Sequence, residues 1–178
     1  IREWEEQEVF PDEVWDEMAA LGWLGLVFPT EYGGADGSML DLMVMLEELA
    51  LGEFELASAV GLAVMGGLAV LRHGTAEQKA RYLPPLIEGR AHFSVSLTEP
   101  GSGSDAAALS TTAQRDGNHW IVRGEKASIT FAGMADACIV FARTGGAGPR
   151  GVSALLVPLD RPGVTRSVYR STGERLTQ

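Results

Sequence analysis

Ser96-Leu97-Thr98-Glu99-Pro100-Gly101-Ser102-Gly103-Ser104-Asp105 decides how this chain is read. An apolar strand meets a proline, then passes through two glycines and two serines to an acidic residue. A strand that ends this way leaves successive backbone N–H groups without ladder partners, and glycine lets a ligand approach the backbone closely. The threonine and serine hydroxyls can donate to phosphate or carbonyl oxygens. The same composition also describes a Gly/Ser-rich surface loop. A second stretch, Gly124-Glu125-Lys126-Ala127-Ser128-Ile129-Thr130, follows a hairpin and precedes the apolar run Ala135 to Thr144.

Upstream of the first stretch the hydrophobic period is helical. Asp12 is placed to cap a helix through Trp15, Met18 and Ala19 that Gly22 ends. Phe28 to Gly37 reads as a loop, and Ser38 as the N-cap of a helix from about Met39 to Leu51. Leu56 to Leu71 carries no charge; it is short for a membrane span and reads as a buried core helix running to Arg72. Glu47, Glu48, Glu53 and Glu55 read as a solvated helix end. Thr75 and Gln78 form a capping box for a short helix through Tyr82, which Pro84 and Pro85 should interrupt.

From Ala91 the period becomes strand-like. Strands are expected at His92–Leu97, Leu109–Gln114, His119–Val122, Ala137–Arg143, Val152–Val157 and Val164–Tyr169, with a hairpin turn at Asp116-Gly117. About six short strands with Gly/Pro turns suggest a small β-barrel or sandwich.

The 178 residues are 46% hydrophobic and 21% charged, ordinary for a globular chain. The formal charge of −10 argues against nucleic-acid or anionic-membrane surfaces. An anionic cofactor would then depend on local backbone donors, which the Gly/Ser stretch offers. Cys138 is the only cysteine, so no disulfide can form within the chain, and three scattered histidines add no zinc-type ligand set. Cys138 reads as a small buried hydrophobe, His73 as a dipole partner at a helix C-terminus, and His92 and His119 as strand residues without a clear partner.

The two quoted stretches together resemble the flavin-binding middle domain of the acyl-CoA dehydrogenases. That family carries Leu-Thr-Glu-Pro-x-x-Gly-Ser-Asp, then Gly-x-Lys-x-Trp-Ile-Thr, then an Ala-Asp…Ala-Arg strand. The likeness extends through Leu21-Gly22-Trp23-Leu24-Gly25, Pro29-Thr30-Glu31-Tyr32-Gly33-Gly34 and Gly74 to Leu86, in the family's order. It implies an α+β fold: an N-terminal helical domain over 1–90, then a small antiparallel β-barrel over 91–178 that is incomplete at its C-terminal end. The family's C-terminal helical bundle lies outside these residues.

The resemblance also implies noncovalent FAD. Leu97 and Thr98 match positions at the pyrimidine side of the flavin ring, and Thr130 matches a threonine beside flavin N5. Gly103 and Ser104 match positions that touch cofactor and acyl-CoA together, so Ser104 is also a substrate contact. Ile129 belongs to the same cofactor set. Two departures stand out. Ser128 occupies the usual tryptophan position, and Val95 a position where an aromatic is common, which would leave the flavin more open.

The family's catalytic base is a glutamate of the C-terminal bundle, so none is assigned here; Glu99 reads as a turn-stabilising carboxylate. The implied activity is α,β-dehydrogenation of an acyl thioester with hydride transfer to FAD. Electrons would pass in many relatives to an electron-transfer flavoprotein, from a homo-oligomer in the cytoplasm or, in a eukaryote, the mitochondrial matrix. Two alternatives stay open: a flavin monooxygenase of the same fold using FAD or FMN, and a degenerate subunit paired with an active partner. Residues 1–178 alone are expected to hold flavin poorly. A last expectation concerns Ser58, Gly61, Gly66 and Gly67: these either let a neighbouring helix approach or clear space for a bulky acyl chain.

Overall fold

The computed structural model describes Trp4 and residues 9–168. Among the described residues, these α-helices precede the sheet: α1 (Asp12–Ala20), α2 (Met39–Gly52), α3 (Phe54–His73) and α4 (Ala76–Ile87). Pro11, not Asp12, is the N-cap of α1 and offers no side-chain bond; Asp12 and Glu13 instead lie in the first turn, where negative charge suits the helix dipole. At the other end Gly22, with φ +80°, lets its N–H reach Ala19 O while the Trp23 N–H reaches Met18 O, and the helix closes there.

The expected N-cap at Ser38 and capping box at Thr75 both form, and Ser38 proves to be a capping box as well. Ser38 accepts from the Asp41 N–H as the Asp41 carboxylate accepts from the Ser38 N–H, and Thr75 and Gln78 do the same for α4. Two helical expectations fail. Helix α4 runs through Pro84 and Pro85 to Ile87, because Leu83, Leu86 and Ile87 are all buried and hold the last turn in place. The carbonyls of both prolines still find donors, Pro84 O from Glu88 N–H and Pro85 O from Arg90 and Ala91 N–H. The acidic run is not all solvated either. Glu53 and Glu55 are buried, and Glu53 caps α3 by accepting from the Glu55 N–H.

Helix α3 has the length and apolarity of a membrane span, yet it lies at the centre of the helical part, against α2, α4 and the sheet. Ala59, Val60, Ala63 and Val64 on it are buried. A side chain at Gly67 would come within 2.4 Å of Leu86 and 2.5 Å of Phe28, both fully enclosed, and one at Gly66 within 3.2 Å of Phe93. These two glycines therefore admit neighbouring core groups. They do not clear space for a ligand, which overturns the bulky-acyl expectation at Gly66 and Gly67.

The strands are β1 (Phe93–Ser96), β2 (Thr112–Asp116), β3 (His119–Arg123), β4 (Ala137–Arg143) and β5 (Val152–Pro158). Strand β4 is central. It pairs in parallel with β1 (Phe93↔Ala137), antiparallel with β5, and in parallel with β2 at Thr112↔Arg143. Strands β2 and β3 form the expected hairpin, Asp116↔His119. The sheet is thus mixed and, among the described residues, open, where an antiparallel barrel was expected. The reason is the long excursion between β1 and β4: a connection of this length lets the chain return in the same direction, which a hairpin cannot do. Residues 164–168 form no strand, and the end of that expected strand lies outside the described residues.

An aromatic cluster joins helices to sheet. His92, just ahead of β1, stacks on Trp15 at 5.2 Å, and Phe10 and Phe131 stand around it at 5.7 and 5.3 Å. The Trp15 Nε1–H donates to Gly89 O, and the His92 N–H to Asp136 Oδ2. Burial holds the imidazole pKa below its ordinary 6.5, against the pull of Asp136, Asp12 and Asp16.

The packing can be tested at Gly67, Gly61 and His92. Gly67→Ala should destabilise by about 1–3 kcal/mol through overpacking. Gly61→Ala, whose new atom meets only Leu46 at 3.6 Å, should stabilise by up to about 1 kcal/mol through helix propensity; urea unfolding checks both. For His92 the depressed folded pKa means that the unfolded chain binds the proton more readily. Stability should be fully present above pH 6.5 and decline as pH falls below it. His92→Phe should flatten that decline in pH-dependent melting, and an unchanged slope would assign the acid lability to other groups.

Candidate functional site

The site begins where the β1 ladder stops. Pairing ends at Ser96↔Val140, so the peptide groups of Leu97 and Thr98 lie beyond the ladder. Glu99 and Ser102 then exchange both backbone hydrogen bonds, at 2.9 and 3.2 Å, pinching the chain around Pro100-Gly101. After the pinch, Gly103 and Ser104 are exposed, and a 3-10 turn (Ala106–Ala108) leads to Ser110 and Thr111.

Glu99 is the hub. Its side chain is 2% exposed. The Ser110 N–H and Oγ–H both donate to its Oε2 at 2.6 Å, and the Thr111 N–H donates to its Oε1 at 2.9 Å. The Lys126 Nζ donates to Oε1 at 2.9 Å and to Leu97 O at 3.0 Å. Burial alone would raise the carboxyl pKa; the hydrogen bonds from Ser110, Thr111 and Lys126 outweigh it and hold the group well below the carboxylate range. Glu99 is therefore a fixed anion, in keeping with its reading as a structural carboxylate and not a base.

The second stretch is drawn to the first by this lysine and by its neighbour, whose Ala127 N–H donates to Thr98 O at 3.1 Å. Leu97 and Thr98 are so set beside the segment that carries Ser128, Ile129 and Thr130. All of these except exposed Ser128 are half-buried. Ser128 and Phe131 adopt left-handed backbone conformations, φ +55° and +65°, which cost roughly 1–2 kcal/mol each in non-glycine residues and give the segment its sharp course. Gly103 and Ser104 lie beyond the pinch, outside this junction. Val95 turns to the other face of β1, toward α3, where a side chain at Gly66 would meet its Cγ2 at 3.8 Å.

Sequence reasoning did not find Lys126, Ser110 or Thr111. Two signals were available: Lys126 is the lysine of the quoted Gly-x-Lys stretch, and a carboxylate that follows directly on a strand needs a set of donors. Arg143 was also missed as a clamp; its guanidinium donates to the carbonyls of Ala107, Leu109, Gly146 and Gly148 and fixes the segment between the pinch and β2.

Two hollows stand out, one at the junction and one on the helices. One, of about 570 Å³, is lined by Ser94, Ser96, Thr111, Lys126, Ile129 and Cys138 among others. Cys138 is buried with its Sγ 2.8 Å from Ser96 Oγ. Burial pushes its thiol up, against hydrogen bonds from Ser94 and Ser96, so it is no ready nucleophile. The other is an apolar groove between α2 and α3, lined by Met43, Leu46, Phe54, Ser58, Gly61 and Met65.

Models of two consecutive domains match the chain: "Acyl-CoA dehydrogenase, N-terminal domain" over residues 1–90 and "Acyl-CoA dehydrogenase, middle domain" over 94–178. Mitochondrial isobutyryl-CoA dehydrogenase of Bos taurus is 41% identical over 165 residues, 93% of this chain and 40% of that protein. The caffeyl-CoA reductase-Etf complex subunit CarC of Acetobacterium woodii is 38% identical, over 93% of this chain and 44% of its own. The crystal structure of a glutaryl-CoA dehydrogenase from Mycobacterium smegmatis in complex with FADH2 superposes with a TM-score of 0.89 at 33% identity, covering 98% of this chain and 44% of that one. The chain spans about 40% of the length of the curated relatives it matches.

Glu99→Ala should cost about 3–5 kcal/mol, because it leaves the Lys126 ammonium buried without its counter-charge. Glu99→Gln should cost less. With the folded pKa depressed, the stabilisation from Glu99 is present above the ordinary carboxyl value of 4.5 and is lost as pH falls below it. Acid unfolding of the two variants against the parent checks both size and sign.

Proposed function

The chain belongs to the acyl-CoA dehydrogenase family, and on that premise we propose that the protein it comes from is an FAD-dependent dehydrogenase of acyl thioesters. The observation that carries this reading is the junction itself, where Ala127 N–H meets Thr98 O and brings the two candidate flavin segments side by side. The donor set suits the cofactor. Leu97 and Thr98 offer peptide groups beyond the ladder, and Thr98 and Thr130 offer hydroxyls. The adjoining carboxylate, Glu99, is turned inward and satisfied, so it is not left free to oppose a reduced ring.

In this reading Leu97 and Thr98 hold the pyrimidine edge of the ring and stabilise negative charge there. Ile129 and Thr130 flank the reacting edge, with Ser128 beside them; Val95, turned toward α3, takes no part. Gly103 and Ser104, on the exposed loop, meet the cofactor and the acyl-CoA together. FAD, when bound, supplies the hydride acceptor for the β-hydrogen. The α-proton goes to a carboxylate outside these residues. We divide the chain into a helical part over 1–90 and a flavin-binding part over 91–178. A homo-oligomer in the cytoplasm, or in the mitochondrial matrix of a eukaryote, with an electron-transfer flavoprotein as acceptor, completes the proposal. The naming of one relative as a subunit of an Etf complex supports that acceptor.

The full-length protein should purify yellow and be bleached anaerobically by one of butyryl-, isobutyryl- or glutaryl-CoA; a colourless protein that takes up no FAD would overturn the reading. Thr98→Val should weaken flavin binding about tenfold or more, as expected for a lost hydrogen bond to a charged group worth roughly 1.5–3 kcal/mol. Ser104→Ala should mainly affect thioester binding, raising KM for the thioester by more than it lowers flavin affinity.

A further inference from the structure

Lys126 makes two contacts of different kinds. One is to the Glu99 carboxylate, at 2.9 Å; the other is to the carbonyl oxygen of Leu97, at 3.0 Å. The lysine side chain is only 11% exposed. Leu97 C=O and Thr98 N–H belong to one peptide unit, so a cation on that oxygen draws electron density across the unit and makes the Thr98 N–H a stronger donor. The effect is larger in a poorly solvated setting than in water. Glu99 does not cancel it. Its remaining lone pairs are taken by Ser110 and Thr111, so the ion pair presents its positive end to Leu97.

We propose that Lys126 is a positioning residue that, anchored by Glu99, polarises the Leu97–Thr98 peptide toward the cofactor and so favours the reduced flavin. The inference rests on the flavin reading above, and it adds a residue that touches neither ring nor substrate. A purely structural ion pair would also lower stability when broken. It would not change the potential of whatever flavin stays bound.

The test is the two-electron reduction equilibrium of bound FAD in the full-length protein and in Glu99→Gln, Lys126→Met and the double variant. The double variant removes both charges together and leaves no buried ion uncompensated, which guards against simple misfolding of Lys126→Met. Lys126→Met and the double variant should lower the reduction equilibrium constant at least tenfold, about 30 mV for a two-electron couple. Glu99→Gln, which keeps the ammonium and sheds its counter-charge, should hold the constant within twofold or raise it. A double variant with the parent potential overturns the proposal. So does a tenfold fall in Glu99→Gln, which decides the matter if neither Lys126 variant retains flavin. A parent protein without FAD, or a Thr98→Val variant with unchanged affinity and potential, defeats the flavin reading itself. A Thr98→Val effect without a Lys126 effect defeats only this inference.

Discussion

A carboxylate taken out of water must be given back nearly everything that water supplied, and Glu99 imposes this demand on its surroundings. Two backbone N–H groups, one hydroxyl and one ammonium converge on it, from Ser110, Thr111 and Lys126. Each donor brings a piece of chain with it. Ser110 and Thr111 fix the lead into β2, and Lys126 fixes the stretch after β3. The pinch at Glu99 and Ser102 fixes the end of β1. Three segments far apart in sequence thus meet at one side chain, and the arrangement of Leu97, Thr98 and Thr130 follows from it.

The helical part depends on a different constraint, the closeness of α3 to everything around it. Gly67 takes Leu86 and Phe28 against bare backbone, and Gly66 takes Phe93 of β1. The helix seats the sheet through those small residues, while the cluster of Phe10, Trp15, His92 and Phe131 ties α1 to the strand that leads into the site. Scaffold and site therefore share β1: Phe93 and Val95 serve the helices, and Ser94 and Ser96 look toward Cys138 on the opposite face.

What could be read from sequence was local. Ser38 announced its helix as an N-cap and Thr75 as half of a capping box, because such signals lie within four residues, and Ala137–Arg143 was legible to the residue as an apolar strand between turn signals. The two site stretches stood out by composition and order. Strand direction did not, because alternation carries no sign of which way a neighbour runs. Pro84 and Pro85 looked like breakers because the burial of Leu83 and Leu86 that overrides them is tertiary. Glu53 and Glu55 looked solvated for the same reason. Lys126 was the plainest loss: its partner lies 27 positions away, and no periodicity links a lysine to a distant carboxylate.

The parallel pairing of β1 with β4 has a consequence in time. Phe93 finds its partner only when Ala137 exists, and everything between them must be made first. At the usual synthesis rate of about 5–20 residues per second, roughly 2–9 seconds pass in which β1 is complete but has no strand beside it. The helices are already made by then, and their contacts are local, so they form quickly. Helix α3 can cover Phe93 and Val95 during that interval, leaving Ser94 and Ser96 as the face turned outward. A young strand that shows water its serines and hides its apolar side is poorly suited to pairing with other nascent chains, and the order of elements along the chain serves as protection against aggregation.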